Sequence, residues 1–416
     1  MLARLALCSL VSRRATVAMT VAAIALSVAL FLGVEKLRTS ARDSFADTIS
    51  GTDLIVGART GSVQLLLYAV FGIGEATNNM SWRSYQGISR RREVDWMVPI
   101  SLGDSHKGYR VIGTTPEFFD RYRYREGRTL RFTEGVRFND LFDAVVGADV
   151  AEALGYKPGD KIVVSHGLAS FTDHDDLPFQ VSGVLAKSGT PMDRAVLIGL
   201  DGLEAIHVDW KSGARIPGMS TPAERLRETE LQPKAVTAAL VGVKSKLQIF
   251  RLQRAINTMR SEPLMAALPG VALSELWRIV GVAEQALLVV SSLVIATALV
   301  GMIATMFASL NERRREMAIF RAIGARPHVI FMLLGLEAAF TAAAGAFLGL
   351  ALLYFGLLIG QPLIDAAYGL YLPIGGLTDR DLTSLLAVVI AGAFASLAPG
   401  IRAYRASLAD GLTVRN

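Results

Sequence analysis

The chain has 416 residues, of which 52% are hydrophobic and only 19% charged, and its mean hydropathy is +0.40. These values exclude a single compact soluble domain and predict two or more structural units, one of them in a membrane. The net charge of +6 does not point to nucleic acid, because the basic residues cluster beside the apolar runs. The single cysteine, Cys8, excludes a disulfide framework or a Cys-based zinc cluster within one chain.

Residues 1–15 read as an amphipathic cytoplasmic segment. Cys8, in "LALC", sits too early and with too little apolar sequence before it for a lipoprotein cleavage site. It reads as a small apolar residue on a helix at the membrane surface. The first span is 16–34, "TVAMTVAAIALSVALFLGV", without a charge. At 1.5 Å per residue it covers roughly 28 Å, about one hydrocarbon core. No small-residue cleavage site follows it, so it reads as a retained anchor.

Residues 35–285 read as a mixed α/β domain. Short β-rich runs recur: "DLIVGA" from Asp53, "YRVIGT" from Tyr109, "DAVVGA" from Asp143, "KIVVSH" from Lys161, "FQVSGVLA" from Phe179 and "VTAALVGV" from Val236. Helical patterns alternate with them, as in "ADVAEALG" from Ala148 and "SKLQIFRLQRAINTM" from Ser245. The apolar run "VQLLLYAVFGI" from Val63 is too short to span. It fits a core helix or a helix on the membrane surface, with core the better fit. The polar, breaker-rich stretch from Ser212 to Pro233 reads as a mobile loop or inserted arm.

Three further spans follow at 286–310, 329–359 and 382–401, the third interrupted only by Glu337. Arg4, Arg13 and Arg14 precede the first span. Arg313, Arg314, Arg315, Arg321 and Arg326 lie in the 311–328 connection, and Arg402, Arg405 and Arg415 in the 402–416 tail. The 360–381 loop has one arginine against three aspartates. The positive-inside rule therefore puts both termini and the 311–328 connection in the cytoplasm, and residues 35–285 outside. No internal repeat or discontinuous midplane helix is evident, which argues against a secondary transporter.

The connection "SLNERRREMAIFRAIGARPH" is more than an anchor. Asn311 caps a short helix with Glu312 in its first turn, Met317, Phe320 and Ile323 form an apolar stripe, and Gly324 and Pro327 stop it. Lipid head groups account for the arginines but not for Glu312, Glu316 or so narrow a stripe; a protein partner accounts for all of them.

"ERRREMAIFRAIGA" resembles the ER-x-x-EI-x-x-x-(K/R)A-x-GA signature of MacB-type ABC permeases, which include the lipoprotein-releasing LolC and LolE subunits and FtsX. The matching residues are Glu312, Arg313, Glu316, Met317, Arg321, Ala322, Gly324 and Ala325; Ala318 stands where the family usually has glycine. "DAVVGADVAEALGYKPGDKIVV" and "FQVSGVLAKSGTPMD" are similar to the family's outer-domain segments. "LGLEAAF" resembles its FL-x-EA at the start of the third span, and "APGIRAYRASLADGL" its closing P-x-x-x-A-x-R motif. The usual second proline of that motif is absent near Asp410. The resemblance implies a fold of four transmembrane helices with a large MacB-type α/β periplasmic domain between the first two, in the bacterial inner membrane. It also implies that 311–328 is the coupling helix, with Glu312, Arg313, Glu316, Met317, Phe320, Arg321, Ile323 and Gly324 docking on two copies of a cytoplasmic ABC ATPase. A homodimer or pseudo-symmetric pair, and a periplasmic adaptor or substrate-binding protein, follow as further expected partners.

The chain itself reads as non-catalytic. No Gly-Lys-(Ser/Thr) occurs, so no loop cradles ATP phosphates, and ATP-Mg is expected in the partner subunit. No G-x-S-x-G elbow occurs either. Gly345 and Gly349 form a GxxxG pair suited to close helix packing, within one chain or between two. Glu337 lies near the cytoplasmic end of its span and reads as half of a structural ion pair with an interfacial arginine rather than a proton relay.

Four of the five histidines, His106, His166, His174 and His207, fall in the outer domain. A zinc site built from His166, His174, Asp176 and His207 is the weaker expectation, since no His-x-x-His or HExxH spacing occurs; surface or capping roles are the plainer one. Three functions thus stand in order: a transport subunit coupled to a separate ATPase, an FtsX-like regulator of a periplasmic partner, and a metal-related or chaperone module.

Overall fold

The computed structural model describes residues 2–125, 127–167, 174–211, 214–215, 221–312, 316, 319, 322, 325–368 and 374–405. The chain divides into two units. One comprises 1–40, 281–363 and 372–416; the other comprises 41–280 with 364–371.

The second unit is built on a mixed sheet of eleven strands: β1 (Leu54–Ala58), β2 (Val94–His106), β3 (Tyr109–Thr114), β4 (Phe132–Gly135), β5 (Asp143–Val146), β6 (Lys161–Ile162), β7 (Ser165–His166), β8 (Phe179–Leu185), β9 (Ala195–Gly199), β10 (Ala238–Val243) and β11 (Leu264–Ala267). The order is β11-β1-β10-β2-β3-β9-β5-β8-β4, with β7 on β2 and β6 on β8. Only β3–β9 and β5–β8 are parallel. The pleat sends successive side chains to opposite faces, and two separate cores result. Leu54 and Val56, Val196 and Ile198, and Ala239 and Val241 enter one. Ile55, Ala195 and Leu197, and Ala238 and Leu240 enter the other. With both faces buried, these strands read as continuous apolar runs rather than alternating ones.

Helices cover both faces. Leu252 and Ile256 of one helix (Ile249–Asn257) and Leu203 and Ile206 of another (Leu200–His207) fill the first core. The run from Val63 fills the second: the helix Ser62–Phe71 buries Leu65, Leu66, Tyr68, Ala69, Val70 and Phe71 and ends at Gly72, whose φ of 63° suits glycine. It is therefore a core helix. The breaker-rich 212–233 stretch has order at both described ends. Trp210–Lys211 pairs with Ala214–Arg215, and the short helix Ala223–Arg227 buries Leu226; residues 212–213 and 216–220 lie outside the described residues.

The first unit holds the apolar helices. Numbering its helices in chain order, α1 is Leu2–Ser12, α2 Arg14–Asp47, α3 Pro269–Glu312, α4 Pro327–Tyr368, α5 Asp379–Ala395 and α6 Leu397–Arg405. Four stretches are long and apolar enough to cross a membrane: 14–47, 269–310, 328–364 and 379–402. Each overruns the span expected from sequence, since helical hydrogen bonding continues past the last apolar residue. The fourth starts at a capping box in which Thr378 Oγ1 accepts from Asp381 N–H and Asp381 accepts from Thr378 N–H. Ile24, Val28 and Leu32 of α2 pack with Met302 of α3, Ala338 of α4 and Val388 of α5. Exposed side chains such as Met19, Leu293, Phe347 and Phe394 suit a lipid surround.

One close approach in the sheet unit sets a testable limit. Asp193 accepts hydrogen bonds from Ser188 N–H, Ser188 Oγ–H and Gly189 N–H, folding "SGTPMD" into a short turn. That turn presses on Gly147: a Cβ there would lie 2.2 Å from Met192 O and 2.4 Å from Asp193 O, both backbone atoms. Gly147→Ala should cost about 1–3 kcal/mol. All four tryptophans lie in this unit, at 82, 96, 210 and 277. Tryptophan fluorescence during denaturant unfolding therefore reads this unit, and an unchanged midpoint would count against the packing described.

Candidate functional site

Three features bear on function: the 311–328 connection, the charge buried in the membrane unit, and the histidines of the sheet unit. Of the residues expected to dock, Arg313, Met317, Phe320, Arg321, Ile323 and Gly324 lie outside the described residues. Glu312 ends α3, and Glu316, Ile319 and Ala322 are helical, Glu316 and Ile319 being exposed.

In the membrane unit, Glu337 of α4 is 3% exposed and forms an ion pair with Arg13, at 3.0 Å from Nη2 to Oε2. Arg13 sits between α1 and α2, so the pair ties the start of the first span to the third. This is the structural ion pair expected for Glu337. At the other end of the first span, Glu35 accepts from Arg38 at 2.7 Å and from Arg380 at 3.0 Å. Gly345 and Gly349 let α4 approach α2 of the same chain. A Cβ on Gly345 would lie 2.6 Å from Ile24, and one on Gly349 would lie 2.6 Å from Ala25 O and 2.9 Å from Val28. Of the two roles open to this pair, packing within one chain is the one these contacts occupy.

In the sheet unit, His166, His174 and His207 do converge, but the carboxylate among them is Asp104, not Asp176. One ligand atom from each of Asp104, His166, His174 and His207 lies within 4.8 Å of the others. Asp104 is on β2, His166 on β7, His174 in the segment before β8 and His207 at the end of the Leu200–His207 helix. The pairing of β7 with β2 sets His166 directly opposite Asp104. Asp176 is exposed in the turn that follows His174. Sequence spacing cannot show that pairing; it favours the acid two residues from His174 over one sixty-two residues from His166. A register shift between Leu102 and Ser105 interrupts the alternation of β2, and Asp104, Ser105 and His106 are all buried.

Burial pushes the Asp104 carboxyl above the ordinary carboxylate range, against the opposing pull of His207 and His166. His166 Nδ1 is 3.2 Å from Asp104 Oδ1, and His207 Nε2 is 3.7 Å from Oδ2. Trp210 walls the cluster, with its ring 4.4 Å from that of His174. His106 is separate: Nδ1 meets Val163 O at 2.6 Å and Nε2 meets the Tyr156 hydroxyl at 2.9 Å. On the other sheet face, a cavity of about 300 Å³ is lined by Phe45, Tyr68, Phe71, Leu102 and Ile112, with Arg110 beside them. It can hold an apolar group.

Two family profiles cover most of the chain. The MacB-like periplasmic core domain matches residues 17–256, and the FtsX-like permease C-terminal matches residues 288–408. The chain belongs to the MacB/FtsX-type ABC permeases. The periplasmic region of MacB from Actinobacillus actinomycetemcomitans is similar at 10% identity and a TM-score of 0.35, covering 56% of this chain and 94% of that one. The extracellular domain of the noncanonic ABC-type transporter YknZ from Gram-positive bacteria is similar at 13% identity and a TM-score of 0.31, covering 52% and 98%. No curated protein matches the chain. Permeases of this type are inner-membrane proteins that work with ATPase partners, and the permease chain is typically non-catalytic.

The ion pair in this permease yields a direct prediction. The Arg13 and Glu337 side chains are 21% and 4% exposed. Glu337→Ala leaves the Arg13 cation without its anion and should cost about 3–5 kcal/mol, whereas replacing both by leucine should cost far less. Thermal midpoints in detergent and accumulation in membranes test this. Equal losses in the single and double variants would contradict the pairing.

Proposed function

We propose that this permease is the membrane subunit of an ABC machine in which two copies pair and two separate ATPase subunits dock on residues 311–328. ATP-driven closure of the ATPases moves the docking segments. The outer unit then changes shape and acts on a substrate drawn from the periplasm or the membrane. The observation that carries this reading is the docking pattern itself, "ERRREMAIFRAIGA", between two apolar helices in a chain with no phosphate-binding Gly-Lys-(Ser/Thr).

The two helices that lead into and out of the outer unit support it. α2 has 34 residues and α3 has 44. At 1.5 Å per residue these are about 51 and 66 Å long, against about 30 Å of hydrocarbon. Neither contains an internal proline. Helices without a break transmit displacement rather than absorb it at a hinge. α3 also ends at Glu312, where the docking pattern begins, so movement there passes directly into a span.

Charge reversal on the docking segment tests the proposal. Glu316→Lys combined with Arg321→Glu should abolish co-purification of the ABC ATPase from native membranes while leaving insertion and Trp fluorescence unchanged. Undiminished co-purification would sink the docking assignment.

A further inference from the structure

We propose that Asp104, His166, His174 and His207 form a binding site for one Zn²⁺ ion in the sheet unit. The inference needs no ATPase and stands apart from the docking proposal. Its first support is the donor set. Three imidazoles and one carboxylate suit zinc, while magnesium and calcium favour all-oxygen shells.

The second support is geometry. Bonds of 2.0–2.1 Å around tetrahedral zinc place neighbouring donor atoms about 3.3 Å apart. His166 Nδ1 lies 3.2 Å from His207 Nε2 and 3.2 Å from Asp104 Oδ1, and His207 Nε2 lies 3.7 Å from Asp104 Oδ2. His166 Nδ1 thus already has that spacing to His207 Nε2 and to one oxygen of Asp104, while His207 faces the other oxygen of the same carboxylate. His174, 1% exposed, brings a ring nitrogen within 4.8 Å of all of them. Closing that distance from at most 4.8 Å to about 3.3 Å would complete a four-coordinate shell of the size expected for zinc.

The third support is how the donors are oriented. His207 Nδ1 is 2.7 Å from Leu203 O, a carbonyl that only accepts, so that nitrogen carries the proton. In that tautomer Nε2, which lies 3.2 Å from His166 Nδ1, is the nitrogen left to bind a metal. A backbone carbonyl holding the far side of an imidazole in this way is the usual support of a zinc-bound histidine. Asp104 is 3% exposed, so a cation facing its carboxylate would offset a buried negative charge.

Four protein donors fill a tetrahedral shell, so the site holds metal rather than activating water. The ligands come from β2, β7, the segment before β8 and the helix ending at His207. Zinc would fasten these four segments together and raise the stability of the unit in proportion to occupancy.

The test uses the full chain in detergent, stripped with a chelator and re-equilibrated with Zn²⁺. Metal analysis should find one zinc per chain, and zinc should raise the midpoint of the tryptophan-monitored unfolding transition. Cobalt in place of zinc should give the intense visible bands of tetrahedral coordination. Asp104→Asn and His207→Ala should each weaken zinc binding by at least ~10-fold, the lower end of what losing even an outer-shell partner costs. His328→Ala, in the other unit, should leave binding unchanged. If Asp104→Asn unfolds the unit, the wild-type stoichiometry and cobalt spectrum decide alone. Substoichiometric zinc, an octahedral cobalt spectrum, or equal binding by folded Asp104→Asn would each overturn the assignment.

Discussion

The outer unit depends on the pairing of one strand, β2. From Val94 to Ile100 it is hydrogen-bonded to β10, and from Ser101 to His106 to β3. β10 ends where Ile100 meets Ala238, and β7 takes up the edge of β2 that β10 vacates, at Asp104 and Ser105. Without β2 the sheet falls into two halves, β11-β1-β10 and β3-β9-β5-β8-β4, neither with a complete core on either face. The interruption near Gly103 lets the same strand serve the core with Val98 and Ile100 and the histidine cluster with Asp104. Architecture and candidate chemistry therefore share one strand, and a defect in its register damages both.

The membrane unit answers a different constraint. Lipid offers no hydrophobic gain for bringing helices together, so contact depends on close packing and on satisfying the few polar groups. Gly345 and Gly349 let α4 approach the backbone of α2, and Ser27 Oγ donates to Ala23 O within its own helix. The charges are concentrated near the two ends of the first span, as Arg13–Glu337 and as Glu35 with Arg38 and Arg380. Arg13–Glu337 and Glu35–Arg380 each join residues far apart in sequence. Each fixes relative position in a region where apolar surface alone is non-specific.

What the sequence made legible follows the range of the interaction. The four apolar helices depend on about twenty consecutive residues and were readable directly, with boundaries short by the polar turns that extend each helix. The runs from Asp53, Tyr109, Asp143, Phe179 and Val236 are strands as read, because β-branched residues bounded by glycine carry a local signal. β2 was not among the strands read, although it is the longest. Pro99 and Gly103 interrupt "VDWMVPISLGDSH", and both residues ordinarily argue against an interior strand. Pro99 nevertheless pairs with Ala239, and its carbonyl accepts from Thr114 Oγ–H. Glu337 was readable as half of an ion pair because an acid near a span end has few options. That Arg13, 324 positions away, is the partner was not readable. The histidines are readable as residue types, but Asp104 reaches His166, His174 and His207 only through the pairing of β7 with β2.

The pairing of β7 with β2 bears on how tightly the cluster would hold an ion. Four ligands spread between positions 104 and 207 would cost much loop-closure entropy to gather in an unfolded chain. Here the sheet has already met that cost. β2 and β7 hold two of the ligands opposite one another, and the helix ending at His207 holds a third by its bond to Leu203. Only His174 stands on an irregular segment, and its backbone N–H donates to Val164 O while Trp210 covers its ring. Affinity in such a site is set less by the donors than by how completely the fold pre-positions them. Substitutions in the sheet core beneath β2 and β7, far from any ligand, should therefore weaken the metal together with the fold.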